Sequence, residues 1–176
     1  MNEGLLQFLC SSLTNEYKTN IIFSSIFFIL GYVIRNSKDT RSVVNHISQN
    51  GLIKKIQYCF YSNDTILKKE AVHLLNCILT NFDGSIMKLK TMEEILRDYI
   101  SVLQATNDFS LIYLCLKGII SLLYLQESFR DVFVDNGGIE ILIVLSDNVN
   151  NSKVSKLIDN ILDLFKEYEI EEDIII

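Results

Sequence analysis

Few residues of this 176-residue chain have the types and spacing that chemistry requires. The four cysteines, Cys10, Cys59, Cys77 and Cys115, stand far apart among apolar neighbours, and no CxxC pair occurs. A structural zinc site wants closely spaced nitrogen and sulfur ligands, and only His46 and His73 are present to help complete one. The cysteines therefore read as small buried hydrophobes in a reducing compartment. The two histidines have no recognisable nucleophile to serve. Glycine-rich phosphate loops, GxSxG and HExxH are absent, and Gly137-Gly138 falls between helical segments as a junction. Glu93-Glu94 reads as the start of a helix, where acidic side chains meet the positive end of the dipole, in preference to an acid–base pair. The missing constellations predict no enzyme, with no catalytic residue, no metal and no cofactor. Sixteen Lys+Arg against twenty-two Asp+Glu give a net charge of −6. Phosphate backbones need a concentrated basic surface, so nucleic acid is disfavoured as a partner.

The elements that must position any remaining binding residues are helical. The most apolar stretch is Ile21–Ile34, and Lys18 and Arg35 bracket sixteen uncharged residues around it. A spanning helix needs about twenty, and Glu3, Glu16 and Lys18 before the run argue against a signal peptide. The stretch is expected to be a core helix packed on several sides, with no membrane contact. No alternation of the kind that marks strands and hairpins appears.

Self-similarity organises the rest. Four segments share one order: a polar or glycine start, a short apolar helix, a polar break and a longer helix. The short helices begin near Leu5, Leu52, Ile95 and Gly138. Their anchors Leu6, Ile53, Leu96 and Ile139 are spaced by 47, 43 and 43 residues. The longer helices are expected at Ile21–Arg35, Ile66–Thr80, Ser110–Leu125 and Lys153–Tyr168, each with apolar residues three and four apart. The breaks Asn15–Asn20, Ser62–Asp64, Thr106–Asp108 and Asn148–Ser152 supply capping side chains. Short connecting helices at Asp39–Ser48 and Ser128–Val134 end before Asn50-Gly51 and Asn136-Gly137-Gly138, where a left-handed turn is expected.

Two or three helices every forty-odd residues is the armadillo/HEAT pattern. QNGLIKKIQYCF and VDNGGIEILIVL resemble the Gly-Gly-Ile-x-x-Leu opening of an armadillo repeat, and EAVHLLNCILTN resembles its third helix. The expectation is an all-α, right-handed α-solenoid of about four armadillo-like repeats. They would form one domain over 1–176, with repeats at roughly 1–50, 51–92, 93–136 and 137–168 and a tail at 167–176. In armadillo proteins the third helices line a concave face that holds partners. The resemblance places Phe28 with Tyr32, His73 with Cys77, Lys117 with Ser121, and Lys156 with Asn160 on that face, each pair four residues apart. Nuclear-import adaptors present Trp and Asn there. This chain has no Trp, only Asn160 matches, and two repeats offer lysine, so a basic import signal is an unsuitable partner. Phe28 would instead belong to the core if the register were shifted by one residue, and His73 would simply be solvated.

ILGYVIRNSKDTRSVVNHISQNGLIKKI is similar to the first repeats of the armadillo-type nucleotide exchange factors of the seventy-kilodalton heat-shock chaperone. Leu30-Gly31, Arg35-Asn36 and Gly51-Leu52 hold the places of that family's motifs, and LKGIISLLYLQESFRDVFVDNGGIEIL follows its rhythm. The family carries further helices and an extended segment before the repeats, whereas this chain begins almost at the first repeat. The resemblance implies a protein partner, the chaperone's nucleotide-binding domain, gripped so as to promote ADP release. Phe28, Tyr32, His73 and Lys117 are the leading contacts. The alternative is a scaffold or adaptor subunit of a larger assembly, motivated by the apolar first repeat. With Ile21–Ile34 read as a buried helix and not as a span or signal peptide, the expected address is cytoplasmic, with the nucleus as the alternative. The tail Glu167–Ile176 mixes acids with apolar residues and reads as a solubilising cap of the last repeat, or else as a peptide whose three isoleucines anchor in a groove.

Overall fold

In a computed structural model, residues 3–13, 19–49, 51–81 and 87–172 are described. They form α1 (Glu3–Ser12), α2 (Asn20–Asn36), α3 (Thr40–Gln49), α4 (Leu52–Cys59), α5 (Thr65–Thr80), α6 (Leu89–Ala105), α7 (Phe109–Leu125), α8 (Ser128–Asp135), α9 (Gly138–Asn148) and α10 (Ser152–Glu172). No strand occurs among the described residues. The chain divides into two compact units, residues 1–92 and 93–176, and the boundary falls within α6.

In unit 1 the long helices α2 and α5 pack together most extensively, α3 leans on α2 and α4, α4 rests on α5, and α1 touches α2. The reason is visible in α5. Leu67, Ala71, Leu74, Leu75 and Ile78 recur three and four apart, and all are buried. Each large apolar side chain removed from water contributes about 1.5–3 kcal/mol, so a helix studded at this spacing is held by its neighbours and not by propensity alone.

Unit 2 repeats the plan. The long helices α7 and α10 pack together, α8 lies against α7 and α9, and α9 lies against α10. Phe133 of α8 is fully buried and its ring stacks on Phe165 of α10, with centroids 5.7 Å apart. The successions α2–α3–α4–α5 and α7–α8–α9–α10 thus share the same order of long, short, short and long helices and the same neighbours.

The junctions are built from the residues expected. Gly51 and Gly137 adopt φ of 68° and 74°, the left-handed region that a side chain disfavours by about 1–2 kcal/mol. Gly138 has a separate reason to lack a side chain, since a Cβ there would lie 2.5 Å from the Phe133 ring. Asp64 Oδ1 accepts the backbone N–H of Ile66 and Leu67 at 3.0 and 3.1 Å, and Asp108 Oδ1 those of Ser110 and Leu111 at 2.9 and 3.2 Å. Asn151 Oδ1 does the same for Lys153 and Val154 at 3.1 and 3.3 Å. These bonds satisfy N–H groups that a helix start leaves without partners. The break before α2 differs: Thr19 caps with extended backbone and no side-chain bond, and Asn15 to Lys18 lie outside the described residues.

Three expectations need correction. The helix expected from Ile95 begins at Leu89, so Glu93-Glu94 does not occupy a first turn; Glu93 instead pairs with Arg97 one turn on, at 3.3 Å. Leu89, Met92 and Leu96 extend the apolar spacing backwards, and the helix follows it. The last helix continues past Tyr168 to Glu172. Finally, α2 is not packed on several sides. Ile26, Phe27, Leu30, Gly31 and Ile34 are buried while much of its opposite side is exposed, because α1, α3 and α5 cover only part of its circumference.

Candidate protein-binding face

The exposed side of α2 is unusual in its chemistry. Ile21 is 75% exposed, Phe28 54% and Tyr32 57%, with Ile29 beside them. The serines that interrupt this side turn inward on their own helix: Ser24 and Ser25 both donate to Ile21 O, at 3.0 and 2.8 Å. Hydroxyls that bond their own carbonyls leave the surface apolar in effect. The face ends in polar groups. Asn36 Nδ2 donates to Tyr32 O at 2.8 Å, and Arg35 is exposed beside it. Exposed aromatics on a helix surface without charge before Arg35 are what a protein interface needs at its centre, since Tyr and Phe supply large contact area at low entropy cost.

The partner pair on α5 sits differently from expectation. Cys77 is only 5% exposed and offers no contact surface. It lies against α2: a Cβ built on Gly31 would come within 3.8 Å of both Cys77 Sγ and His73 Cδ2. His73 Nε2 stands 3.8 Å from Cys77 Sγ and is half-buried. The register of α5 is as expected, but α2 approaches closely enough at Gly31 to cover one turn of the face. The unit 1 face therefore consists of Phe28 and Tyr32, with His73 at its margin.

In unit 2, Lys117 is exposed and its Nζ lies 5.8 Å from the centroid of the Tyr113 ring, while Ser121 Oγ donates to Lys117 O at 3.0 Å. Lys156 and Asn160 are exposed on α10. The eight expected residues thus divide between the units, with aromatics in unit 1 and lysines in unit 2. The other three cysteines, like Cys77, are buried free thiols. Burial raises the thiol pKa of Cys10 and pushes that of Cys59 up to about 11, which keeps them protonated and inert. Among the described residues, no three His, Cys, Asp or Glu side chains converge as metal ligands, and no helix is long and apolar enough to cross a membrane.

Sequence reasoning missed a groove of about 940 Å³ between α1, α2 and α3, whose wall includes Leu6, Tyr32, Asn36, Lys38, Ser42 and His46. It also missed Ile21 and Ile29 as surface residues. Apolar type alone gave no signal that they would remain uncovered.

No protein-family model matches the chain, and no curated protein matches it. Among solved structures, the chain is similar to the crystal structure of an engineered protein, with a TM-score of 0.70 and 18% identity. That likeness covers 90% of this chain and 60% of the engineered one, so the chain spans somewhat over half the length of the structure it matches. At this identity the likeness is one of helical fold.

Proposed function

We propose that this chain is a protein-binding module built as a right-handed α-solenoid of about four armadillo-like repeats. We propose further that it is a co-chaperone promoting ADP release from the seventy-kilodalton heat-shock chaperone by binding its nucleotide-binding domain. The observation that carries the binding reading is the exposed aromatic pair Phe28 and Tyr32 on a helix whose exposed side bears no charge before Arg35. The repeated plan of α2–α5 and α7–α10 supports the repeat reading. The motifs at Leu30-Gly31, Arg35-Asn36 and Gly51-Leu52 support the exchange-factor reading.

The mechanism requires no chemistry from this chain. A partner lobe that fits the face better when opened than when closed is shifted toward the open state by that difference in affinity, and nucleotide leaves. Phe28 and Tyr32 would supply the apolar anchor, with His73 and Lys117 as polar contacts. Such a protein works in the cytoplasm, where the chaperone and reduced thiols coexist.

The test is release of labelled ADP from the chaperone. Acceleration at micromolar concentrations of this chain supports the reading, and an unchanged release rate removes it. A second reading, as a scaffold or adaptor subunit, is favoured by the extent of the apolar surface from Ile21 to Tyr32, which is safer beneath a partner. Stable co-purification in a fixed stoichiometry with another protein, without any effect on ADP release, would select it.

A further inference from the structure

The charge of this chain is split along its length. Residues 1–92 carry ten Lys+Arg against six Asp+Glu, a net +4, and residues 93–176 carry six against sixteen, a net −10. Unit 2 offsets part of its own charge in the ion pairs Arg97–Glu93, Arg130–Glu127 and Lys166–Asp163.

The acidity of unit 2 is concentrated at its end, where residues 159–173 hold seven carboxylates and one lysine. The last turn of α10 has no basic residue. Cations, not carboxylates, are favoured at that end of a helix, because the dipole there is negative. Like charges a turn apart also repel. Apart from the Lys166–Asp163 pair, the helix itself gains little from this run, which is followed directly by Ile174-Ile175-Ile176.

Unit 1 presents the complementary chemistry. Arg35, Lys38 and Arg41 are exposed around the junction of α2 and α3 with one exposed carboxylate, Asp39, among them; Arg35 also faces Glu70, and Lys38 shares a groove wall with Tyr32. Cations bordering exposed apolar side chains match carboxylates bordering isoleucines. Two whole molecules of net −6 repel, but an approach that sets the +4 region of one against the −10 region of the other is attractive at short range.

We propose that the acidic end of this chain, residues 159–176, docks on the Arg35–Lys38–Arg41 rim and the Phe28–Tyr32 face of a second copy. The contact is heterologous, so copies chain head to tail instead of closing as a symmetric pair, unless the rotation between them closes a ring. It requires no chaperone and stands independently of the exchange-factor reading.

Sedimentation of the full chain over a concentration series tests it. At low salt the mean mass should rise with concentration. It should return to that of one copy in strong salt, because the screening length falls from about 10 Å at 0.1 M to about 3 Å at 1 M. Arg35→Glu/Lys38→Glu should weaken association by about tenfold or more, with circular dichroism verifying that the helices are retained. Glu169→Lys/Glu171→Lys/Glu172→Lys should weaken it likewise, and mixing the two variants should restore association between unlike partners. A single copy at every concentration in low salt overturns the proposal. So does association indifferent to both reversals, or a mixture that fails to recover. A salt-dependent change of shape within one copy, the signature of the end docking on its own molecule, also overturns it.

Discussion

Units 1 and 2 follow one helical plan and present two different surfaces. In both, a long helix is followed by two short ones and a second long one, and a left-handed glycine stands between the short pair, Gly51 in one and Gly137 in the other. In both, a polar side chain caps the second long helix, Asp64 on α5 and Asn151 on α10. Yet unit 1 is basic with an exposed aromatic helix, and unit 2 is acidic with its ion pairs on the surface. The plan is set by apolar spacing and by two or three junction residues. The surface is free of those constraints, so whatever distinguishes the function of the units lies in it.

The largest expected effects lie where the plan is shared. Phe27→Ala in unit 1 and Phe133→Ala in unit 2 each empty a fully buried site, and each should cost about 3–5 kcal/mol in urea unfolding. Phe28→Ala, one residue along the same helix, should stay within about 0.5 kcal/mol because its ring is more than half exposed. Equal losses at Phe27 and Phe28 would mean that the face of α2 is wrongly assigned.

The next effect separates the units by their glycines. Gly138→Ala drives a methyl into the Phe133 ring and should destabilise by about 1–3 kcal/mol. Gly31→Ala meets Cys77 and His73 only at van der Waals distance and gains helix propensity, so it should be neutral or stabilising by up to about 1 kcal/mol. Thermal melts of both variants compare them directly. Smaller again are the caps: Asp64→Ala and Asn151→Ala should each lose about 1 kcal/mol, measured the same way, and similar values would mark the caps as equivalent parts of the plan.

The smallest effect depends on pH and has its source in unit 1 alone. Glu70 Oε2 is buried without a hydrogen-bond partner among the described residues. Desolvation raises its pKa, with Arg35 pulling the other way. A carboxyl whose pKa is raised on folding adds stability below its ordinary range and loses it as pH rises through the raised value. At neutral pH, Glu70→Gln should therefore melt at or above the wild-type temperature, and the difference should close as the pH falls into the carboxylate range. A variant less stable than wild type at neutral pH would show that the Arg35 attraction outweighs burial.

Much of the helical plan was legible in the sequence because its causes are local. The spacing of Ala71, Leu74, Leu75 and Ile78 specifies a buried stripe, and Asp64, Asp108 and Gly51 act within a few residues of where they stand. The start of α6 was misplaced because Glu93-Glu94 looks like a first turn, while Leu89 and Met92 carry the apolar period further back. The exposure of Phe28 and Tyr32 followed from register. The burial of Cys77 did not, since it depends on how closely α2 approaches at Gly31, a tertiary distance that no local pattern encodes. The apolar residues of α2 gave no sign of which would stay uncovered, for the same reason.

The central claim is that recognition resides in the aromatic face of unit 1. Labelled-ADP release from the seventy-kilodalton chaperone tests it most directly, with wild type, Phe28→Ala/Tyr32→Ala and Lys117→Ala/Ser121→Ala compared at equal concentration. The account predicts acceleration by wild type, loss of most of it in the α2 pair with an unchanged melting temperature, and a smaller loss in the α7 pair. Acceleration undiminished in the α2 pair, or none by wild type, would contradict it.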